Sequence, residues 1–262
     1  MRTSFVVLAA VLGAGAGAGC GDEGVTWRIP CAGTGQYSDE AAVSETYRFE
    51  GDDGGHFVVE ELTRGDVITL ITSRYDGEVR VEQTYDDGTL QYQETVTVAG
   101  GRKSVVTRTG NQSAHRFVET WEWRDDRPAG WVRDYENAPD REGIFGTGDG
   151  DLIENVCARS DTGTLSECNS LRYTGPYERW TVQERDDNSD GMPEGVELRS
   201  FDDHDLELSF ERRFGGADGR ETLSLEVRTM RESDGSPIQQ VSTTHQPGFE
   251  RAHTLVYSYT CP

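Results

Sequence analysis

The stretch Tyr85–Val98, YDDGTLQYQETVTV, contains the pattern that decides the fold. Near its start is an Asp87-Gly88 pair, whose residues tolerate positive φ and favour a tight hairpin turn. After the turn, apolar side chains recur at every second position with one interruption: Leu90, Tyr92, Val96 and Val98. Such alternation predicts a β-strand with one buried face and one solvated face.

The same pattern recurs along the chain, at Phe117/Trp121/Trp123, Leu206/Leu208/Phe210, Leu223/Leu225/Val227 and Leu255/Tyr257/Tyr259. Asp-Gly pairs recur as breaks between such runs, as at Asp76-Gly77 and Asp190-Gly191. The spacing predicts on the order of 14 strands, with 125–151 as a loop-rich divider. We therefore predict an all-β, mostly antiparallel meander that forms a large curved sheet or an open barrel. No face offers the continuous apolar band that an outer-membrane barrel needs.

The composition is strongly acidic, with 25 Lys+Arg against 48 Asp+Glu and a net charge of −23. Nucleic acids and anionic lipids need Lys and Arg to replace their counterions. The overall charge therefore excludes nucleic acid as an expected partner.

The N-terminus has the form of an export signal: a basic start at Met1-Arg2 and an apolar segment over 5–12 that is too short to span a bilayer. The run Gly17-Ala18-Gly19-Cys20 resembles the lipobox of bacterial lipoproteins, although Gly17 stands where that family usually has Leu. The resemblance implies cleavage before Cys20 and lipid on its thiol. Ordinary cleavage after the preceding Ala-Gly-Ala triplet is the alternative.

These features predict three segments: a signal peptide over 1–19, the lipidated Cys20 with a flexible tether over 20–44, and an antiparallel β domain over 45–262.

Without Cys20, four cysteines remain, and an oxidising compartment can pair them as two disulfides. Three connectivities are possible. We favour Cys157–Cys168, which closes a short loop over a turn at 161–164, with Cys31–Cys261 tying the ends of the domain. A metal site lacks the CxxC or paired-histidine spacing that it needs.

Tyr75-Asp76-Gly77, Tyr85-Asp86-Asp87-Gly88 and Phe201-Asp202-Asp203 resemble the turns of bacterial YD (RHS-type) repeats. The regular spacing and the Gly-Asn turns of that family are absent. The resemblance implies a meandering β architecture with a surface or scaffold role, and it carries no catalytic residue.

Residues 186–197, DDNSDGMPEGVE, match the calcium-loop pattern D-x-[DN]-x-[DN]-G-x₅-E in full. The loop resembles an EF-hand, which implies ligands at Asp186, Asn188, Asp190, Met192 (through its carbonyl), Glu194 (through water) and Glu197. Pro193 departs from the family, and the flanking residues predict strands instead of helices. We expect a weak Ca²⁺ loop between strands, with a solvated acidic turn as the alternative.

Enzyme signatures are scarce, since the chain has no GxSxG, HExxH or GxxxxGK[ST] motif. The five histidines are scattered, and only His245 and His253 could face each other, across the Pro247-Gly248 turn. Trp121 and Trp123 either stack on a sugar or partner, or fill a core that is short of Leu and Ile.

The first hypothesis is thus a non-enzymatic envelope lipoprotein, anchored to a bacterial membrane, with the outer membrane favoured. It would act as a binding or structural module for an unknown envelope protein or ligand. The alternatives are a periplasmic carrier that encloses a lipid or other apolar ligand, and a secreted hydrolase.

Overall fold

A computed structural model describes residues 28–40, 44–52, 56–112, 115–125, 127–148, 151–160, 162–188, 190–203 and 206–260. Within them the chain forms eighteen β-strands and one short 3₁₀ turn at Tyr177–Arg179. The strands of the first half are β1 (Ala32–Tyr37), β2 (Ser44–Gly51), β3 (Phe57–Arg64), β4 (Val67–Asp76), β5 (Val79–Asp86), β6 (Thr89–Ala99), β7 (Arg102–Gly110), β8 (Phe117–Arg124) and β9 (Arg127–Tyr135). Those of the second half are β10 (Asp140–Gly148), β11 (Asp151–Arg159), β12 (Leu165–Thr174), β13 (Val182–Asp186), β14 (Gly195–Phe201), β15 (Glu207–Phe214), β16 (Thr222–Arg231), β17 (Pro237–Gln246) and β18 (Phe249–Ser258). The described residues include no helix that is both long enough and apolar enough to cross a bilayer.

The strands form one closed ring. Each strand pairs antiparallel with the next one along the chain, and β1 pairs with both β2 and β18. The predicted all-β antiparallel meander is confirmed, but the sheet is closed and not open at an edge. Closure removes every exposed strand edge, which an open sheet of this length would have to protect.

Two sequence-based boundaries are corrected by the strands themselves. β1 lies inside the predicted tether over 20–44, so the β domain begins by Ala32 and not at residue 45. The predicted divider over 125–151 contains β9 and β10, which pair with each other and continue the ring. Both segments are rich in Gly and poor in alternating apolar residues. A strand count based on apolar alternation is therefore too low. The predicted signal peptide and Cys20 lie outside the described residues.

The hairpin turns follow the predicted chemistry. Asp87 and Gly88 have φ of 48° and 75°, the left-handed pair that a two-residue hairpin needs. We name the two ends of the barrel by such turns. Turns that follow odd-numbered strands lie at the Gly88 end, and turns that follow even-numbered strands lie at the Gly77 end, because neighbouring strands run antiparallel.

The register separates an inner face from an outer face. In β8, Phe117, Glu119 and Trp121 are buried, whereas Val118 between them is 44% exposed. Residues directly opposite each other on paired strands share a face, so the pairings carry this assignment around the ring. A circular ring of eighteen strands is roughly 35 Å wide between opposite backbones, by ordinary strand spacing and tilt, too wide for side chains to fill.

The apolar core is therefore local. Phe49, Phe57, Leu255 and Tyr257 form a buried cluster on the inner face near the Gly77 end, with Ile29 and Tyr47 packed against it. Between these strands, β1 presents Gly33, where an added Cβ would lie 3.0 Å from Leu255 Cδ1. Small residues in β1 thus make room for large side chains from both neighbours.

Candidate functional site

The acidic loop predicted to bind calcium connects β13 and β14 at the Gly88 end. Carboxylate oxygens of Asp186, Asp190 and Glu194 all lie within 4.8 Å of one another. Gly191 has a φ of 88°, which allows the sharp turn between them. The flanking elements are strands, as predicted, and not the helices of an EF-hand.

The loop is organised by its own side chains. Asp186 accepts hydrogen bonds from the backbone N–H groups of Asn188 (3.2 Å) and Gly191 (2.7 Å). Asp190 accepts one from Met192 (2.8 Å), and Glu194 accepts one from the Asn188 side chain (2.9 Å). These bonds hold three carboxylates together in a prefolded turn, although each carboxylate keeps lone pairs free for a cation.

Glu197, the predicted bidentate ligand, lies elsewhere. It belongs to β14, where its carboxylate accepts a 2.7 Å hydrogen bond from Arg212 on β15. The carboxylate that joins Asp186 and Asp190 is that of Glu194. A strand starting at Gly195 carries Glu197 away from the loop, whereas the helix of an EF-hand would turn it back.

A second polar group lies on the inner face around Glu119, which is 2% exposed. Its carboxylate accepts a 2.7 Å hydrogen bond from Arg133 Nε and a 2.5 Å bond from Trp121 Nε1. Lys103 lies 3.5 Å from the same carboxylate and 3.9 Å above the Trp121 ring. Burial lowers the pKa of Lys103, and Glu119 opposes that shift.

Glu154 is held in the same region by two aromatic donors. Trp131 Nε1 and the Tyr173 hydroxyl each donate a 2.5 Å hydrogen bond to it. Burial raises the pKa of Glu154, and these hydrogen bonds work in the opposite direction. Glu119 and Glu154 are only 2% and 4% exposed, and their carboxylates are held by these buried donors.

The tryptophans form a local aromatic cluster on the inner wall near these carboxylates. The Trp121 ring lies 6.0–6.3 Å from the rings of Trp123, Trp131, Phe145 and Tyr177. Tyr177 comes from the 3₁₀ turn after β12, which thus folds inward over the Gly77 end. Trp121 and Trp131 are buried, which favours the core-filling interpretation of Trp121 over stacking on a sugar.

His245 and His253, which could have faced each other across the Pro247-Gly248 turn, are not paired. The register places His245 opposite Glu250, and His253 opposite Ser242. His253 instead lies 2.8 Å from Glu45 on β2, a partner that no local pattern indicates.

Arginines line the inner face toward the Gly88 end, and we call this set the arginine belt: Arg64, Arg108, Arg133, Arg141, Arg185, Arg212 and Arg251. Several stack on aromatic rings. Arg251 lies 3.8 Å and Arg64 4.9 Å from the centre of the Tyr37 ring. No local sequence pattern indicates this belt, because its members are scattered over seven strands.

Two of the predicted disulfide-forming cysteines are bonded to each other, and a third also forms a disulfide. Cys157 and Cys168 form a disulfide, which confirms the favoured pairing. Cys31 is also disulfide-bonded. Cys261 and the lipidation candidate Cys20 lie outside the described residues, so the Cys31–Cys261 pairing and the anchor remain predictions.

No protein-family model and no curated protein sequence matches the chain. The solved structures that resemble it include two described as porin-like proteins. That from Bacteroides uniformis is 9% identical and has a TM-score of 0.36, covering 90% of this chain and 99% of its own. That from Bacteroides vulgatus is 9% identical with a TM-score of 0.37, covering 90% and 100% respectively. The fold described above rests on the strand pairing alone.

Proposed function

We propose that the protein is a non-enzymatic envelope lipoprotein, a closed barrel held at a bacterial membrane by lipid on Cys20. It acts as a binding or structural module, and Ca²⁺ on the Asp186–Glu194 loop stabilises it. The observation that carries the proposal is the short covalent path from the anchor to the barrel. Cys20 precedes Ala32, the first residue of β1, by only 12 positions.

This path gives the barrel an orientation. β1 begins at the Gly77 end, because it is an odd-numbered strand. Twelve residues span at most about 40 Å when extended, so a lipid on Cys20 keeps the Gly77 end near the membrane. The acidic loop and the arginine belt then face away from the bilayer, where ligands and other envelope proteins reach them.

The carrier of an apolar ligand is less well supported. The inner face carries ion pairs such as Arg108–Glu94, at 2.6 Å, with side chains that are 36% and 25% exposed. An apolar ligand would exclude water from these charged side chains without replacing the hydrogen bonds that the water makes. This loss costs several kcal/mol per ion. The inner wall therefore favours a polar ligand or a structural role.

Cell fractionation of a Cys20→Ser variant tests the anchor. The wild type should sediment with membranes and incorporate labelled palmitate, and the variant should be soluble and unlabelled, because acyl chains contribute about 0.8 kcal/mol per buried CH₂. Gly17→Leu, which restores the usual lipobox residue, is the matched control and should stay in the membrane fraction. Unchanged fractionation of Cys20→Ser would sink the lipoprotein assignment.

A further inference from the structure

Two arginines face each other on the inner wall of the barrel. Arg133 on β9 and Arg141 on β10 are direct cross-strand partners, so their side chains share a face. Like charges in this position destabilise a sheet unless each has a counter-charge. Glu119 compensates Arg133 through bonds to Nε and Nη2. Arg141 is exposed and takes part in none of the ion pairs among the described residues.

The nearest inner-facing positions beside Arg141 offer no counter-charge, and the Trp131 ring covers one of them. The other cross-strand partner of Arg141 is Ala158 on β11, and the next inner-facing residue of its own strand is Gly143. Neither Ala158 nor Gly143 has a group that can pair with a guanidinium or cover it. Arg141 therefore directs its guanidinium to the inside of the barrel, with no carboxylate partner among the described residues.

Other arginines of the belt extend this surface around the wall. Arg185 and Arg212 have side chains that are 52% and 53% exposed, and among the described residues each forms an ion pair with one carboxylate, that of Asp187 and of Glu197 respectively. A guanidinium has five donors in a rigid fork, so one carboxylate leaves others unused. These donors suit the paired oxygens of carboxylate, phosphate and sulfate groups.

The acidity of the whole chain does not prevent such binding. Acidic turns at the rim, such as Asp190 and Asp218, are exposed to solvent. Their repulsion is screened beyond about 8–10 Å at ordinary ionic strength, whereas direct hydrogen bonds to a guanidinium are screened far less.

We infer that the arginine belt binds a multivalent oxyanion inside the Gly88 end of the barrel, with Arg141 as its central contact. The ligand is a molecule that carries several carboxylate, phosphate or sulfate groups. This inference deepens the binding role proposed above by giving the chemical class of the ligand. It does not depend on the lipid anchor, so the two proposals fail separately.

Isothermal titration of the purified full chain tests this inference. The probes are tripolyphosphate, a compact anion, and a galacturonate oligomer, an extended one, in buffer freed of calcium on a chelating resin. Arg141→Gln removes the central contact and should keep the wild-type melting temperature, because Arg141 has no ion pair with any residue that the structure describes. Arg228→Gln is the matched control, since Arg228 lies on the outer face of β16 and pairs with Glu226 there.

The wild type should bind at least one probe, and Arg141→Gln should weaken that binding roughly tenfold, the usual effect of losing a charge-assisted hydrogen bond. Arg228→Gln should bind as the wild type does. Binding of only one probe would show whether the anionic groups are close together or spread out. Three results would each overturn the inference: no binding of either probe at millimolar concentration, unchanged binding by Arg141→Gln, or an equal loss in Arg228→Gln.

Discussion

The imidazole of His253 lies 2.8 Å from the carboxylate of Glu45, although 208 residues separate them in the chain. His253 is on β18 and Glu45 on β2, and the contact passes over Gly35 of the intervening strand β1. Burial by itself raises the pKa of Glu45, but the hydrogen bonds from His253 and Tyr47 and the charges of His253 and Arg64 outweigh it and lower the pKa. The two ends of the barrel domain are therefore joined by the contact between His253 and Glu45 as well as by backbone pairing.

Gly35→Ala should destabilise this junction. A Cβ at Gly35 would lie 2.6 Å from His253 Nε2 and 2.9 Å from a Tyr47 ring carbon, so the side chains above it must shift. Overpacking of this kind costs about 1–3 kcal/mol, which lowers the melting temperature by several degrees. Gly146→Ala is the control, because nothing lies within 4 Å of its Cβ position. Equal melting of Gly35→Ala and wild type would contradict the packing described here.

Glu60 should make the protein less stable as the pH rises. Burial raises its pKa to about 7, and the negative charge of Glu82 adds to the rise while Arg80 opposes it. Between the unfolded pKa of 4.5 and the folded value, the folded state binds more protons, so the free energy of unfolding falls across this window.

Glu60→Gln removes this penalty. The variant should be more stable than the wild type by about 1–3 kcal/mol at pH 8 and equal to it at pH 4, as measured by urea unfolding across the range. Glu61→Gln is the matched control, because Glu61 lies on the outer face, where it pairs with Arg48 at 3.1 Å, and its substitution leaves Glu60 in place. A constant difference between Glu60→Gln and wild type at every pH would argue against a titrating Glu60.

Calcium should raise the melting temperature of the wild type. With a dissociation constant of about 10⁻⁴ M and about 1 mM Ca²⁺, binding contributes roughly 1.4 kcal/mol, a shift of a few degrees relative to EDTA. Asp190→Ala and Glu194→Gln should lose the shift, since both carboxylates belong to the cluster. Glu197→Gln should keep it, because Glu197 is bound to Arg212. The loop is not the site if the wild type shows no shift, or if Asp190→Ala and Glu194→Gln both retain it.

Removal of the Cys157–Cys168 disulfide should lower stability without changing the fold. The two cysteines are 11 residues apart, and closing so short a loop contributes about 3 kcal/mol in the chain-entropy model. The double variant Cys157→Ala/Cys168→Ala should unfold at lower denaturant concentration than the wild type. Addition of a reductant to the wild type also opens the Cys31 disulfide, so the variant isolates this one bridge. An unchanged midpoint would show that the bridge adds nothing.

Much of the strand content was predictable because alternation is a local property. In β6, β8 and β18 the pleat alone puts every second side chain on one face, and Asp-Gly pairs mark the turns at Gly77 and Gly88. The strands that were missed are those where glycines replace the apolar side chains, as in β1 and β10. In those strands a large side chain from the neighbouring strand packs over the glycine, as Trp131 does over Gly143. A single sequence does not reveal which strands are neighbours.

The sequence by itself determined the all-β class, the hairpin positions, the short disulfide and the acidic loop, because each depends on residues close together in the chain. It also contained Glu94 and Glu119, which interrupt apolar faces without visible reason. Only the tertiary structure gave them partners, Arg108 and Arg133, by pairing each strand with its neighbour. Closure of the ring through β1 and β18 depends likewise on contacts more than 200 residues apart. No local propensity encodes such contacts, because they form only when the remaining strands have brought the two ends together.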